Sequence, residues 1–372
     1  MSEIKVNSIK GLAASQAAIT VDNASGSATA NLTTVNSVVM PNGGQFANKN
    51  LIINGDMRIA ARAVSASVSA SNTGYTTLDR WRFQDHGSPT AVYGMTRSTD
   101  APDGFSNSLK LATSTADTAM AAGDATYIDY QIESQDLQHL QYGTSNAKSL
   151  TLSFYVRGTI TGTYVVWFYS VDTAKAFTRT YTISTANTWE KKTITFTGDT
   201  ATALGNDVEA GLLIRWVLSV GTDYSSGTAS TNWATAGVTN ANRYVGQTVN
   251  LAATTSDNWY LTGVMLEVGS VATDFEYRSV AQEEMLCRRY YQPAPTSSNT
   301  SRTRYGQRYS TGSGFVIVDH VPPMRATPAL NWTARATSSG WAYANYSGKE
   351  ITQVIMSALS PYITGLEMDA EL

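Results

Sequence analysis

One cysteine, Cys287, stands in 372 residues, and the histidines number three: His86, His139 and His320. A lone thiol excludes an intramolecular disulfide and any multi-cysteine metal site, and three scattered imidazoles make a histidine metal cluster unexpected. No G-x-S-x-G elbow accompanies those histidines, so a serine hydrolase has no support. Charged residues are few, at 15%, with 26 Lys and Arg against 29 Asp and Glu. The formal net charge of −3 leaves no basic excess for a phosphate backbone, so nucleic acid is not an expected partner. No apolar run approaches the roughly 18–20 residues of a membrane span, so membrane insertion is not expected. Met1 to Lys10 lacks the apolar centre of a secretory signal, and export by that route is not expected. No D-x-D-x-D loop is present to hold Ca²⁺, and no cofactor motif appears.

What is abundant points to strands. The chain carries 49 Thr and 38 Ser with 28 Gly and 20 Tyr, a composition that favours β-structure over helix. Residues 1–48 stand apart: no Trp, no Tyr, one Phe, and much Ala, Ser, Thr and Asn. Such a stretch offers too little apolar surface to offset its own ordering entropy. Its short β-branched runs leave two readings, a disordered tail or a segment that orders only against identical chains or a larger assembly. The second implies an oligomer.

From Leu51 aromatics appear, and strands with them. Leu152, Phe154 and Val156 alternate with Thr151, Ser153, Tyr155 and Arg157, the period of a half-buried strand. Val165 to Tyr169 is apolar on both faces and reads as a central strand. Leu212, Ile214, Trp216, Leu218 and Val220 form the longest single stripe, and Tyr260, Thr262, Val264, Leu266 and Val268 follow after a polar stretch. Strands recurring without amphipathic helices between them predict an antiparallel sandwich of the jelly-roll kind over 49–279. The Gly/Ser/Thr/Asn-rich segment Asp223 to Asn258 is expected to form long loops at one end. One helix is expected in 280–293: Ser279 and Gln282 suit a capping box, Glu283 and Glu284 the positive end, Arg288 and Arg289 the other, and Pro293 and Pro295 a stop. Residues 294–372 then form a smaller C-terminal β-domain. The fold class is all-β: an N-terminal extended segment, an antiparallel β-sandwich, a short helix and the small β-domain.

Several segments do more than alternate. Asn50-Leu51-Ile52-Ile53-Asn54-Gly55-Asp56, followed by Asp79-Arg80-Trp81, resembles the opening of a module recurrent in phage tail-fibre and minor virion structural proteins. Leu266-Glu267-Val268-Gly269-Ser270 is similar to that module's closing strand. Glu276-Tyr277-Arg278-Ser279 and Leu286-Cys287-Arg288-Arg289-Tyr290-Tyr291 are similar to its sequel, and Met324-Arg325-Ala326-Thr327-Pro328 to the small β-domain that follows. The start Ser2 to Lys10 resembles fibre-like proteins of marine and cyanobacterial phages. The resemblance implies a virion protein with a carbohydrate-binding-module-like jelly roll. It implies a homotrimer located in a tail appendage, made in the host cytoplasm, joined to other virion proteins through residues 1–48 and meeting host-surface carbohydrate. A head- or collar-attached decoration without receptor binding is the alternative, and a polysaccharide depolymerase a second.

Sugars are held by ring faces that stack on C–H surfaces and by polar groups that take hydroxyls. Loop aromatics are therefore the expected glycan contacts: Tyr224, Trp233 and Tyr244 in the long loop, and Trp332, Trp341, Tyr343 and Tyr346 near the C-terminus. Asp79-Arg80-Trp81 and Leu266 to Gly269 read as structural instead. The densest acid groups, Asp124/Asp129 and Glu283/Glu284, carry no mark of a hydrolytic pair, so no catalytic residue and no enzyme is expected.

Overall fold

The computed structural model describes residues 48–293 throughout, with 304–305, 307–310, 313–335, 342–356 and 362–372 beyond them and five short strands before them. C-terminal side chains are described at 317–330, 348–353 and 367–372. The chain divides into two compact units, Met1–Phe46 and Ala47–Leu372. In the first, β1 (Ser8–Ile9), β2 (Ile19–Val21) and β3 (Ala28–Ala30) pair antiparallel in that order, and β4 (Thr34–Val35) pairs with β5 (Val38–Val39).

The second unit is built on eleven strands: β6 (Ser65–Ser69), β7 (Arg82–His86), β8 (Val92–Ser98), β9 (Ser108–Thr115), β10 (Ala125–Glu133), β11 (Leu150–Gly158), β12 (Gly162–Ser170), β13 (Lys175–Ile183), β14 (Glu190–Phe196), β15 (Ala210–Val220) and β16 (Asn258–Val268). They form two antiparallel sheets, a five-stranded one in the order β13-β12-β15-β10-β7 and a six-stranded one in the order β14-β11-β16-β9-β8-β6. Neighbours in each sheet are mostly not neighbours in sequence, the crossover pattern of a jelly roll. The alternating stripes lie between the sheets: Leu150, Leu152, Phe154 and Val156 of β11 and Leu212, Ile214, Trp216 and Leu218 of β15 are all buried there. Trp81, Trp216 and Trp259 are each 0% exposed in that core.

The helix forms where the capping signal stands. Helix α1 (Val280–Arg288) begins on Ser279, whose hydroxyl accepts from the backbone N–H of Gln282 at 3.2 Å. After it come β17 (Tyr291–Pro293), β18 (Arg304–Tyr305), β19 (Gln307–Ser310), β20 (Ser313–Asp319), β21 (Ala329–Arg335), β22 (Ala342–Ser347), β23 (Ile351–Met356) and β24 (Tyr362–Asp369). β24 pairs with β17, β18 and β21, while β19-β20-β23-β22 make a separate sheet.

The motifs that carry the resemblance converge on one corner of this unit. Asn50 accepts from the N–H groups of Ile52 and Leu266, each at 3.0 Å, and donates to Val264 O at 3.1 Å. Asn54, fully buried and at φ 57°, donates to Ile59 O and Asp79 O and accepts from Ile59 N–H at 2.9 Å. Its backbone N–H is held by Glu283 of α1. Asp79 accepts from Ala61 N–H at 3.2 Å and pairs with Arg62 at 3.3 Å. Arg80, 1% exposed, pairs with Glu371, donates to Gln131 O at 2.6 Å and lies 3.5 Å over the Tyr290 ring. A guanidinium out of water needs carboxylate and carbonyl oxygens, and here both terminal nitrogens find one while Nε is left without a partner. Glu267 accepts both the N–H and the hydroxyl of Thr273, closing the turn past Gly269. Arg325 donates to Ala370 O, Val208 O and Glu371 O, tying the Met324-Arg325 segment to the same corner. These motifs are a frame: they dock the helix and the final strand on the sandwich.

Candidate carbohydrate site

Tyr224 and Tyr244, two of the expected glycan contacts, offer no ring face to a ligand. They are 5% and 1% exposed, packed with Tyr127, Val165, Trp167, Leu213 and Val217. The physical reason lies in the outer face of β10, β12 and β15, which carries Ala125, Tyr127, Val165, Trp167, Leu213 and Val217. Their outer surface needs a cover, and residues 222–244 fold back over it in short 3₁₀ turns instead of standing free at one end, while Val249, Leu251 and Ala252 enter the core between the sheets. Beneath that cover Asp129, 0% exposed, is held by Arg215 at 2.7 Å and Arg82 at 2.9 Å, and the Arg215 guanidinium lies 3.5 Å over Tyr127. Trp233 is half-buried; its indole N–H donates to Thr197 O at 3.0 Å and its ring meets Phe177 edge-on at 4.7 Å. It plugs the end of the core. Trp341 lies outside the described residues, and so do the side chains of Trp332, Tyr343 and Tyr346.

The structure gathers a different set of aromatics. On the outer face of the six-stranded sheet a cavity of about 310 Å³ is lined by Phe105, Ser153, Tyr155, Gly263, Phe275 and Tyr277, with Asp103, Lys191 and Asp274 at its edge. The Phe105 ring lies 5.4 Å from Tyr155, 5.1 Å from Phe275 and 5.6 Å from Tyr277. Such tilted and edge-on contacts hold rings together; Phe105, Tyr155 and Phe275 are half-buried. Tyr277 is 56% exposed. Its hydroxyl donates to Gly104 O at 2.8 Å, joining the segment after β16 to the loop before β9. Asp103, Lys191 and Asp274 are exposed, so one cation and two carboxylates face solvent around an apolar floor.

Five separate segments build this cavity, and a bulge fits them together. The register of β11 against β16 shifts between Ser153, opposite Met265, and Tyr155, opposite Thr262, so Gly263 and Val264 face a single residue. Gly263 sits at φ +60°, and a Cβ there would come within 2.6 Å of the Phe105 ring and 3.0 Å of the Tyr155 ring. Glycine allows both the left-handed backbone and the close approach of two rings.

The acid groups noted in the sequence are engaged elsewhere. Asp124 accepts from Ser88 N–H and Ala121 N–H, and Asp129 holds its two arginines. Glu283 accepts from Asn54 N–H and faces Arg278, while Glu284 pairs with Arg288. Tyr155 and Tyr277 carried a signal in the sequence, an outward aromatic on an alternating strand and an aromatic pair just past the closing one. Phe105 carried none beyond its place in an Asp-Gly turn.

The chain matches no protein-family model and no curated protein. Among solved structures it is similar to the enzymatically active domain of tailspike protein 4 of bacteriophage CBA120. The identity is 12%, the coverage 59% of this chain and 21% of that one, and the TM-score 0.32. It is similar to a family 11 carbohydrate-binding module from Clostridium thermocellum, in complex with a β-1,3-1,4-mixed-linked tetrasaccharide. There the identity is 9%, the coverage 57% and 99%, and the TM-score 0.28. A family 22 xylan-binding domain matches at 12% identity over 63% of this chain and 100% of that one, with a TM-score of 0.29. The chain spans about a fifth of the tailspike it matches.

Proposed function

We propose that this chain is a non-catalytic adsorption component of a phage virion, a trimeric tail fibre, that holds host-surface glycan in the Phe105–Tyr155–Phe275–Tyr277 cavity. The cavity carries the reading: the exposed Tyr277 and three half-buried rings, a residue type suited to sugar C–H surfaces, stand beside exposed carboxylates and a lysine suited to hydroxyls. The virion assignment rests on the ordered motifs, from Asn50 to Pro328, that resemble the tail-fibre module. Residues 1–48 are the attachment or oligomerising segment in this reading. Non-catalytic action is supported by the engagement of Asp124, Asp129, Glu283 and Glu284 in structural contacts. Single protein–sugar contacts are weak, and three copies per fibre raise avidity through effective concentration.

The test is retention of the full chain on immobilised polysaccharides of stated composition, beside its Tyr155→Ala and Tyr277→Ala variants. Retention lost in both variants, with melting temperature kept, supports the reading. Retention unchanged in both would overturn the cavity as the site. If no polysaccharide is retained, a head or collar decoration becomes the better account. Light scattering adds the assembly: a mass near three times 40.0 kDa supports the trimer, and a monomer counts against a self-sufficient fibre.

A further inference from the structure

We propose that the glycan is an acidic polysaccharide, with one sugar ring in the aromatic cavity and a negatively charged substituent held at a second, cationic station beside it. This rests on the cavity being the glycan site, and it adds the ligand's charge and the direction in which the ligand lies.

The second station follows from strand register. Tyr155, at the floor of the cavity, stands opposite Lys191 of β14 and Thr262 of β16. Two residues along β11, on the same face and about 7 Å away, Arg157 stands opposite Tyr260, and Tyr260 opposite Lys110 of β9. The Arg157 guanidinium lies 5.1 Å over the Tyr260 ring and the Lys110 ammonium 5.4 Å over it. Trp189, half-buried, closes this row edge-on to Tyr260 at 5.9 Å. The carboxylate of the row, Asp100, pairs with Arg157 and accepts from the Trp189 indole N–H at 3.3 Å. Among the described residues neither Lys110 nor Lys191 has an ion-pair partner.

Charge then orients the ligand. Asp103 and Asp274 stand exposed at the cavity edge and would repel a carboxylate, sulfate or phosphate group seated there. Two residues along and across β16 to β9 the balance reverses: Arg157 is matched by Asp100, and Lys110 remains as surplus positive charge over the Tyr260 ring. Lys191, 6.0 Å from the Tyr155 ring, belongs to the first station, on the β14 side of it and away from Lys110. A chain laid obliquely from β11 across β16 toward β9 therefore places a ring against Tyr155 and its acidic group near Lys110. The neutral stack supplies area, and the charge-assisted hydrogen bond supplies selection for acidic polymers.

The experiment uses the full chain on an array of neutral, uronate-bearing, sulfated and phosphate-bearing polysaccharides. The expected result is retention of acidic polymers over neutral ones. Lys110→Gln should weaken that retention about tenfold, the size of one charge-assisted hydrogen bond, and Lys110→Arg should restore it. Retention should also fall as ionic strength passes about 0.1 M, where the screening length is roughly 10 Å. Neutral polymers retained as well as acidic ones, with no change in Lys110→Gln, would overturn the inference and leave the cavity reading standing. No polymer retained, with Tyr155→Ala the same as the parent chain, removes both. Which acidic class is retained tells the carboxylate, sulfate and phosphate sources apart.

Discussion

The indole N–H of Trp81 donates to the backbone carbonyl of Asn54 at 3.0 Å, and both residues are fully buried. The bond links the two most conspicuous sequence motifs, Asn50 to Asp56 and Asp79-Arg80-Trp81, inside the core. The Trp81 ring lies 5.0 Å from Tyr130 and 5.5 Å from Trp216, so this tryptophan is an anchor with no face for a sugar.

Trp81→Phe keeps a ring in place but removes the donor, leaving a buried carbonyl with one partner fewer. The expected cost is about 1–3 kcal/mol, the range for a buried group deprived of its hydrogen bond. Urea denaturation measures it. Polysaccharide retention should be unchanged, because the frame and the cavity are different parts of the unit.

Asp79 makes stability depend on pH. Burial pushes its carboxyl from the ordinary 3.8 up to about 7; Arg62 pulls it down and Glu371 pushes it further up. The folded chain thus keeps a proton that the unfolded chain releases above 3.8. Unfolding releases that proton, so stability falls as pH rises from about 4 to 7 and is level beyond. Asp85, raised to about 6 mainly by burial, acts in the same sense. Asp79→Asn should therefore reduce the slope of denaturation free energy against pH without abolishing it.

Gly263→Ala tests the bulge. The left-handed backbone alone costs about 1–2 kcal/mol for a residue with a Cβ. The new methyl also meets the Phe105 and Tyr155 rings, so the cavity must change shape. Lower melting temperature together with lost retention is expected. Gly94→Ala, with nothing nearer than Ala112 O at 3.9 Å and no left-handed backbone, should change neither.

Arg289 holds Glu133 through two bonds, at 2.9 and 2.7 Å, and Glu133 is 0% exposed while the arginine is 30% exposed. Arg289→Met strands the buried carboxylate, a loss of up to about 3–5 kcal/mol, lessened by the bond that Gln135 gives Glu133 at 2.7 Å. Glu133→Gln should cost less, because its abandoned partner reaches water. A double-mutant cycle by chemical denaturation checks the asymmetry.

Periodicity alone determined the sandwich. Side chains alternate along a strand, so Leu152, Phe154 and Val156 had to share a face, and Ser279 with Gln282 marked the helix start from local bonding. Two-sided apolarity in Val165 to Tyr169 also held the information that the outer face of the five-stranded sheet needs covering. Only the tertiary structure decided that residues 222–244 supply that cover, and that Tyr224 and Tyr244 are buried in it. It likewise decided where the open aromatics meet. Phe105, Tyr155 and Tyr277 lie on three segments far apart in sequence, and strand pairing with a one-residue bulge brings them together. Local propensity acts over a few residues, whereas a binding surface on a sheet is set by which strands become neighbours.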